Sequence, residues 1–254
     1  LAIVAPNTED RGVTYLLLVR HGATPTTGKV LPGRAPGLAL SDAGRAEAAE
    51  VGRRVGGLGN VRALYSSPMQ RALETAEQIA PFVGLPVGIE PDLIECDAGA
   101  WTGAGLRALR NRRDWKRLLL NPSGFRFPGG ESFIELQARV LAAVERLVAR
   151  HRGEVVVAVS HADPIKVALA SALGSPLDLL RRIEVGTCSV NVVAYDEGPP
   201  RVLALNSFAD PALVGVPSGG TRRRSASGPR KVAPHDPGRH GEAGTRRAAR
   251  MRAT

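Results

Sequence analysis

Tyr15-Leu16-Leu17-Leu18-Val19-Arg20-His21-Gly22 is the stretch from which the rest of the chain is read. An unbroken apolar run this short, stopped by Gly22 and Pro25, predicts a strand covered on both faces rather than a helix with one buried stripe. A second run of the same kind, Val155-Val156-Val157-Ala158-Val159, ends on Ser160-His161 as the first ends on Arg20-His21. In open α/β sheets functional side chains gather beyond the carboxyl ends of the strands. If these two strands are parallel neighbours, both histidines stand at one end of the sheet.

Outward from this pair the pattern alternates. Ser41-Asp42 offers an N-cap to an alanine-rich helix ending at Gly56-Gly57. Val61 to Tyr65 reads as a strand leading into Ser66-Ser67-Pro68, followed by a helix opened by Pro68 and ending near Ile79, before Pro81. A short extended piece, Val87 to Ile89, precedes an extended Leu93-Ile94 and then Glu95. Residues 105–120 read as one helix with arginines clustered on one face. Glu131 to Arg150 reads as the longest helix, with Phe133, Leu136, Val140, Leu141, Val144, Leu147 and Val148 on one face. Asp163-Pro164 opens a helix to Leu173, and Ser189–Tyr195 with Arg201–Ser207 forms a closing strand pair. This order predicts an α/β fold, a three-layer α/β/α sandwich with a mainly parallel central sheet.

The formal charge of +10 is unevenly spread. From Ser218 onward ten basic residues face two acidic ones, and the rest of the chain is nearly balanced, so the folded part does not read as a nucleic-acid binder. Residues 1–12 are read as an N-terminal extension, from an alternative start codon or an over-extended start, 13–210 as the folded domain and 211–254 as a basic disordered tail. The tail reads by default as a charged disordered extension, with weak, nonspecific, salt-sensitive contact with anions as the alternative. Cys96 and Cys188 lack metal-like spacing and read as reduced thiols. The first apolar run is too short for a signal-peptide core, and no run reaches the ~18 residues of a membrane span. Cytoplasmic location without membrane insertion is expected.

Two histidines, arginines and a carboxylate drawn to one cleft suit a phosphomonoester. A guanidinium fork matches phosphate oxygens and stays charged, and neighbouring arginines keep a histidine neutral and nucleophilic. Gly22 would let backbone approach the phosphate. The ordered motifs carry a resemblance: Leu18-Val19-Arg20-His21-Gly22-Ala23-Thr24; Gly33-Arg34 with Leu40-Ser41-Asp42-Ala43-Gly44; Ser66-Ser67-Pro68-Met69-Gln70-Arg71-Ala72 with Glu74-Thr75-Ala76; Leu93-Ile94-Glu95 with Gly99-Ala100-Trp101; Pro128-Gly129-Gly130-Glu131-Ser132; and Val159-Ser160-His161-Ala162-Asp163-Pro164-Ile165. Over about residues 14–210 the chain resembles the histidine phosphatase superfamily, also called phosphoglycerate-mutase-like.

The resemblance implies a phosphomonoester hydrolase working through a phosphohistidine on His21. Glu95 would be the general acid and base, preferred to Asp97. Arg20, Arg71 and His161 would hold the phosphoryl oxygens, and Thr24 and the backbone at Gly22 would line the pocket; Arg34, in a loop, reads either as a substrate contact or as a solvated surface arginine. It implies no metal, no cofactor and a small phosphorylated metabolite as partner. The chain departs from the family's common residues at Ala23, Thr27 and Thr102, which would shape the pocket rim, so the particular substrate is not read. Glu95-Cys96-Asp97-Ala98-Gly99 stands where the mutases carry a longer segment, which favours hydrolysis. A phosphoglycerate-type phosphomutase, a protein phosphohistidine phosphatase and an inactive scaffold are the other readings. Trp101 reads as a packing residue, Arg71 has Glu74 as its alternative partner, and Arg107, Arg110, Arg112 and Arg113 read as a solvated face.

Overall fold

In the computed structural model, β1 (Thr14–Arg20) lies parallel to β4 (Val155–Ser160), with Leu16 opposite Val156 and Arg20 opposite Ser160. The two strands therefore end level. Residues 12–219 are described; the expected extension before Gly12 and the basic tail from 220 onward lie outside the described residues.

β2 (Val61–Ser66) pairs parallel with β4 and with β3 (Val87–Ile89), while β5 (Val190–Tyr195) and β6 (Arg201–Ser207) add an antiparallel edge beside β1. The sheet order is β3-β2-β4-β1-β5-β6. Side-chain alternation divides the interior. Leu17, Val19, Val155, Val157 and Val159 pack with α1 (Asp42–Gly56) and α2 (Gln70–Val83). Leu16, Leu18, Val156 and Ala158 pack with α5 (Phe133–Arg150) and α6 (Ala162–Ala172) on the other face. Both faces of β1 and β4 are thus covered, which is why these strands are apolar without interruption, and the architecture is the expected three-layer α/β/α sandwich.

The helices begin where their caps place them. Ser41 Oγ accepts from the Gly44 amide at 3.1 Å, and Ser132 and Glu135 form a reciprocal capping box at the start of α5. Four expectations are corrected. The second helix starts after Pro68, with Met69 as its N-cap, and runs through Pro81 to Val83. Near the helix end the proline forfeits one ladder bond, and Gly84 at φ 68° closes the turn by donating to the Ala80 carbonyl.

Leu93 belongs to a 3-10 turn, Pro91–Leu93, rather than to an extended segment, because Pro91 presets the turn and Glu90 accepts from the Asp92 amide. Residues 105–120 form two helices, α3 (Leu106–Arg110) and α4 (Arg113–Leu120), broken at Asn111-Arg112 so that Leu109 and Leu118 can both be buried. Finally, the packed body continues beyond 210. Pro211–Val214 forms a 3-10 turn, Val216 joins the α1/α2 side of the core, and the Gly219 amide donates to Leu58. Among described residues both cysteines are free and buried.

Candidate active site

His21 continues the β1 ladder by one bond, its amide donating to the Ser160 carbonyl at 2.9 Å. This sets its ring beside that of His161, with centroids 5.1 Å apart and planes at 59°. The Gly22 carbonyl lies 2.8 Å from His21 Nδ1. A carbonyl can only accept, so Nδ1 carries the proton and Nε2 presents its lone pair. Arg71, from the first turn of α2 and 1% exposed, donates its Nε to that lone pair at 3.2 Å and its Nη2 to the Gly33 carbonyl at 2.9 Å. Glu74 is not its partner; that carboxylate accepts from the Leu40 amide and from Gln70.

His161 is the N-cap residue of α6 and is fully buried. Its Nε2 lies 2.7 Å from Ser67 Oγ, which also accepts from the Met69 amide at 3.4 Å. With the serine hydroxyl donating to Nε2, the ring proton of His161 sits on Nδ1. His161 Nδ1 and Arg20 Nε are both buried without a hydrogen-bond partner among the described residues, while Arg20 Nη1 is anchored on the Val185 carbonyl at 2.7 Å. Unpaired buried donors are costly, and two beside the same histidine suit an anionic ligand. Burial above all, then Arg71, holds both imidazoles well below the usual histidine range, with Arg20 adding to the effect. Both rings are neutral at pH 7.

Glu95 follows the 3-10 turn, whose Leu93 carbonyl accepts from Ser160 Oγ at 2.7 Å, so the carboxyl's segment is fastened to the end of β4. Its carboxyl is buried and accepts from the Cys96 amide at 2.9 Å. Burial first, then the charge of Asp163, pushes its pKa up to about 7, against the pull of Arg71, the Cys96 amide and Arg20. Asp97, the alternative acid, is more exposed; it caps the Gly99 amide and faces Arg34 at 3.9 Å.

Three expected contacts have other local partners. A Cβ on Gly22 would run into the Gly44 carbonyl, so the close approach this glycine permits is to the start of α1. The Thr24 hydroxyl is shared with Thr26 and Thr27 inside its own loop. Arg34 donates to the Glu95 carbonyl at 2.9 Å and to Glu131 at 3.3 Å. Trp101 packs, as expected, among Trp115, Phe125 and Phe127, and Arg107, Arg110, Arg112 and Arg113 are exposed.

Sequence reasoning did not single out Ser67, Glu131 or Arg139 individually. Ser67 stands at the end of a strand in a run already quoted, and that position was the available signal. Among the described residues no group of three or more His, Cys, Asp or Glu is arranged to hold a metal ion, and no helix is long and apolar enough to cross a membrane.

A family model, the histidine phosphatase superfamily (branch 1), matches residues 16–207. The chain belongs to this superfamily. It is 30% identical over 196 residues to phosphoserine phosphatase 1 of Hydrogenobacter thermophilus, covering 75% of this chain and 91% of that protein. It is 31% identical over 182 residues to a probable phosphoglycerate mutase of Salmonella paratyphi C, covering 71% and 84%. Among solved structures, a phosphoserine phosphatase mutant of Entamoeba histolytica in complex with phosphoserine is similar, at TM-score 0.69 and 26% identity over 76% of this chain and 97% of that one. The chain spans about half, 54%, of the length of several curated mycobacterial relatives to which it is 32% identical.

Proposed function

We propose that this chain hydrolyses phosphomonoesters by passing the phosphoryl group through His21. The observation that carries the reading is the state of His21, a buried neutral ring with its proton committed to the Gly22 carbonyl and Nε2 turned toward Arg71. In the first step the Nε2 lone pair forms a bond to phosphorus as the bond to the ester oxygen breaks, and Glu95 gives its proton to that oxygen. In the second, Glu95 takes a proton from water as water attacks phosphorus and the bond to Nε2 breaks, releasing phosphate and restoring the acid. Arg71, Arg20 Nε and His161 Nδ1 would hold the phosphoryl oxygens. These cationic and neutral donors supply the charge neutralisation that a metal supplies elsewhere, so the proposed reaction is metal-independent.

A small phosphorylated metabolite is the proposed substrate, supported by the phosphoserine phosphatase relatives. The likeness to a probable phosphoglycerate mutase keeps phosphoryl transfer back onto a second hydroxyl as the other reading. Incubation with a panel of phosphorylated metabolites separates the two. Hydrolysis predicts stoichiometric release of inorganic phosphate, unaffected by a chelator and abolished in His21→Ala. Isomerised substrate without phosphate release would establish the mutase, and full activity in His21→Ala would remove His21 from the reaction.

A further inference from the structure

Among the described residues the carboxyl of Glu95 accepts one hydrogen bond, from the next residue's amide, whereas its carbonyl accepts two and the segment before it accepts two more. Its carbonyl accepts from two guanidinium groups, Arg34 Nε at 2.9 Å and Arg139 Nη2 at 3.1 Å. Arg139 Nη1 also donates to the carbonyls of Asp92, at 2.6 Å, and Ile94, at 2.8 Å. Both arginines meet one carboxylate. Glu131 receives Arg139 Nε at 2.6 Å, Arg139 Nη2 at 2.9 Å and Arg34 Nη2 at 3.3 Å, and also accepts from the Asp97 amide at 3.2 Å. The Glu131 amide in turn donates to the Asp97 carbonyl at 3.0 Å. The side chains of Glu131 and Arg139 are only 10% and 16% exposed, so this pair is shielded from water and from salt.

We propose that Glu131, Arg139 and Arg34 are positioning residues for proton transfer, a clamp that sets where the Glu95 carboxyl stands relative to the phosphoryl group on His21. The clamp reaches the phosphate side as well: Arg71, which meets His21, donates to the carbonyl of Gly33, the neighbour of Arg34. One peptide therefore joins the group that holds the phosphoryl oxygens to the group that holds the acid. Loss of the Arg139 or Arg34 side chain would move the carboxyl, while His21, His161 and Arg71 keep contacts that involve neither side chain. Because a proton is delivered only over hydrogen-bond distance, a displacement of about 1 Å is enough to cost roughly 10²-fold in rate. Arg34, read from the sequence as a substrate contact or a solvated arginine, would then act on catalysis without touching substrate.

This inference rests on Glu95 being the acid, and the test separates the two claims. An alkyl phosphate such as β-glycerophosphate needs a proton on its departing oxygen; a dinitrophenyl phosphate does not. With kcat/KM as the readout, which reports events through departure of the leaving group, Glu95→Gln is expected to lose far more on the alkyl ester than on the aryl ester. Arg139→Met should lose about 10²-fold on the alkyl ester and less than about 3-fold on the aryl ester. Arg34→Met removes one of the two donors on the Glu95 carbonyl and should show the same selectivity at about 10-fold, so it carries the test if Arg139→Met does not fold. Equal losses on both esters, or none, in the two arginine variants would overturn the clamp while leaving the acid in place. Absence of leaving-group selectivity in Glu95→Gln would overturn the acid, and the clamp with it.

Discussion

At the scale of single residues, the site is organised by where each proton is parked. The Gly22 carbonyl fixes the proton of His21 on Nδ1, and the Ser67 hydroxyl donating to His161 Nε2 leaves that ring's proton on its own Nδ1. Two adjacent imidazoles of the same composition are thereby given opposite tasks, one presenting a lone pair and the other an N–H. Glu95 completes the set because burial and the charge of Asp163 keep its proton on up to about pH 7. The sign of the pH dependence follows. The proton must be on Glu95 when the ester bond breaks, so kcat/KM for an alkyl phosphate should fall above about pH 7, approaching tenfold per pH unit. In Glu95→Gln the remaining activity should lack this limb. Pre-steady-state or steady-state rates between pH 6 and 9 check it, and an unchanged limb in the variant would assign the ionisation to another group.

At the scale of elements, the catalytic loop is set by how tightly β1 meets the helix that follows it. The Gly22 amide donates to Thr75 of α2, the Ala23 amide to Glu47 of α1, and the Ala23 carbonyl accepts from the Ser41 amide. The contact between Gly22 and Gly44 is backbone on backbone, and neither side has a flexible atom to move aside. Gly22→Ala should therefore cost about 1–3 kcal/mol of stability, the range for overpacking. Because the Gly22 backbone that must shift away from Gly44 carries the carbonyl that orients His21, turnover should fall too. Denaturant unfolding and kcat on one preparation test this, and wild-type values for both would show that the two backbones can separate freely. α2 carries the same lesson: a proline near its end did not stop it, since one ladder bond is lost while Ala80 and Val83 on either side of it pack against the α1/α2 core and Gly84 closes the turn.

At the scale of the whole molecule, what could be read from the chain is what its local chemistry decides. β1 and β4 were legible because a strand buried on both faces is apolar throughout, and α1 and α5 because their caps and periodicity are contiguous. His21, Arg71, Glu95 and His161 were reachable through strand ends and ordered motifs. The bonds that give these residues their states were not. Ser67 and His161 are 94 positions apart, and Arg139, paired with Glu131, meets the Glu95 carbonyl across 44. Such contacts exist only once parallel strands and a helix have been brought together, and a salt-bridged surface arginine looks the same in sequence as Arg139. The continuation of the body to Val216 was hidden for a similar reason, since Gly- and Pro-rich chain shows no period even where it packs.

The central claim is that the phosphoryl group is carried on His21. A phosphate ester labelled with radioactive phosphorus, mixed with excess enzyme and quenched in alkali within a single turnover, traps a phosphohistidine if one forms. The account predicts alkali-stable, acid-labile label on the peptide holding His21, and none in His21→Ala. Hydrolysis of the ester with the label mapped to another side chain, or equal turnover by His21→Ala, would contradict it.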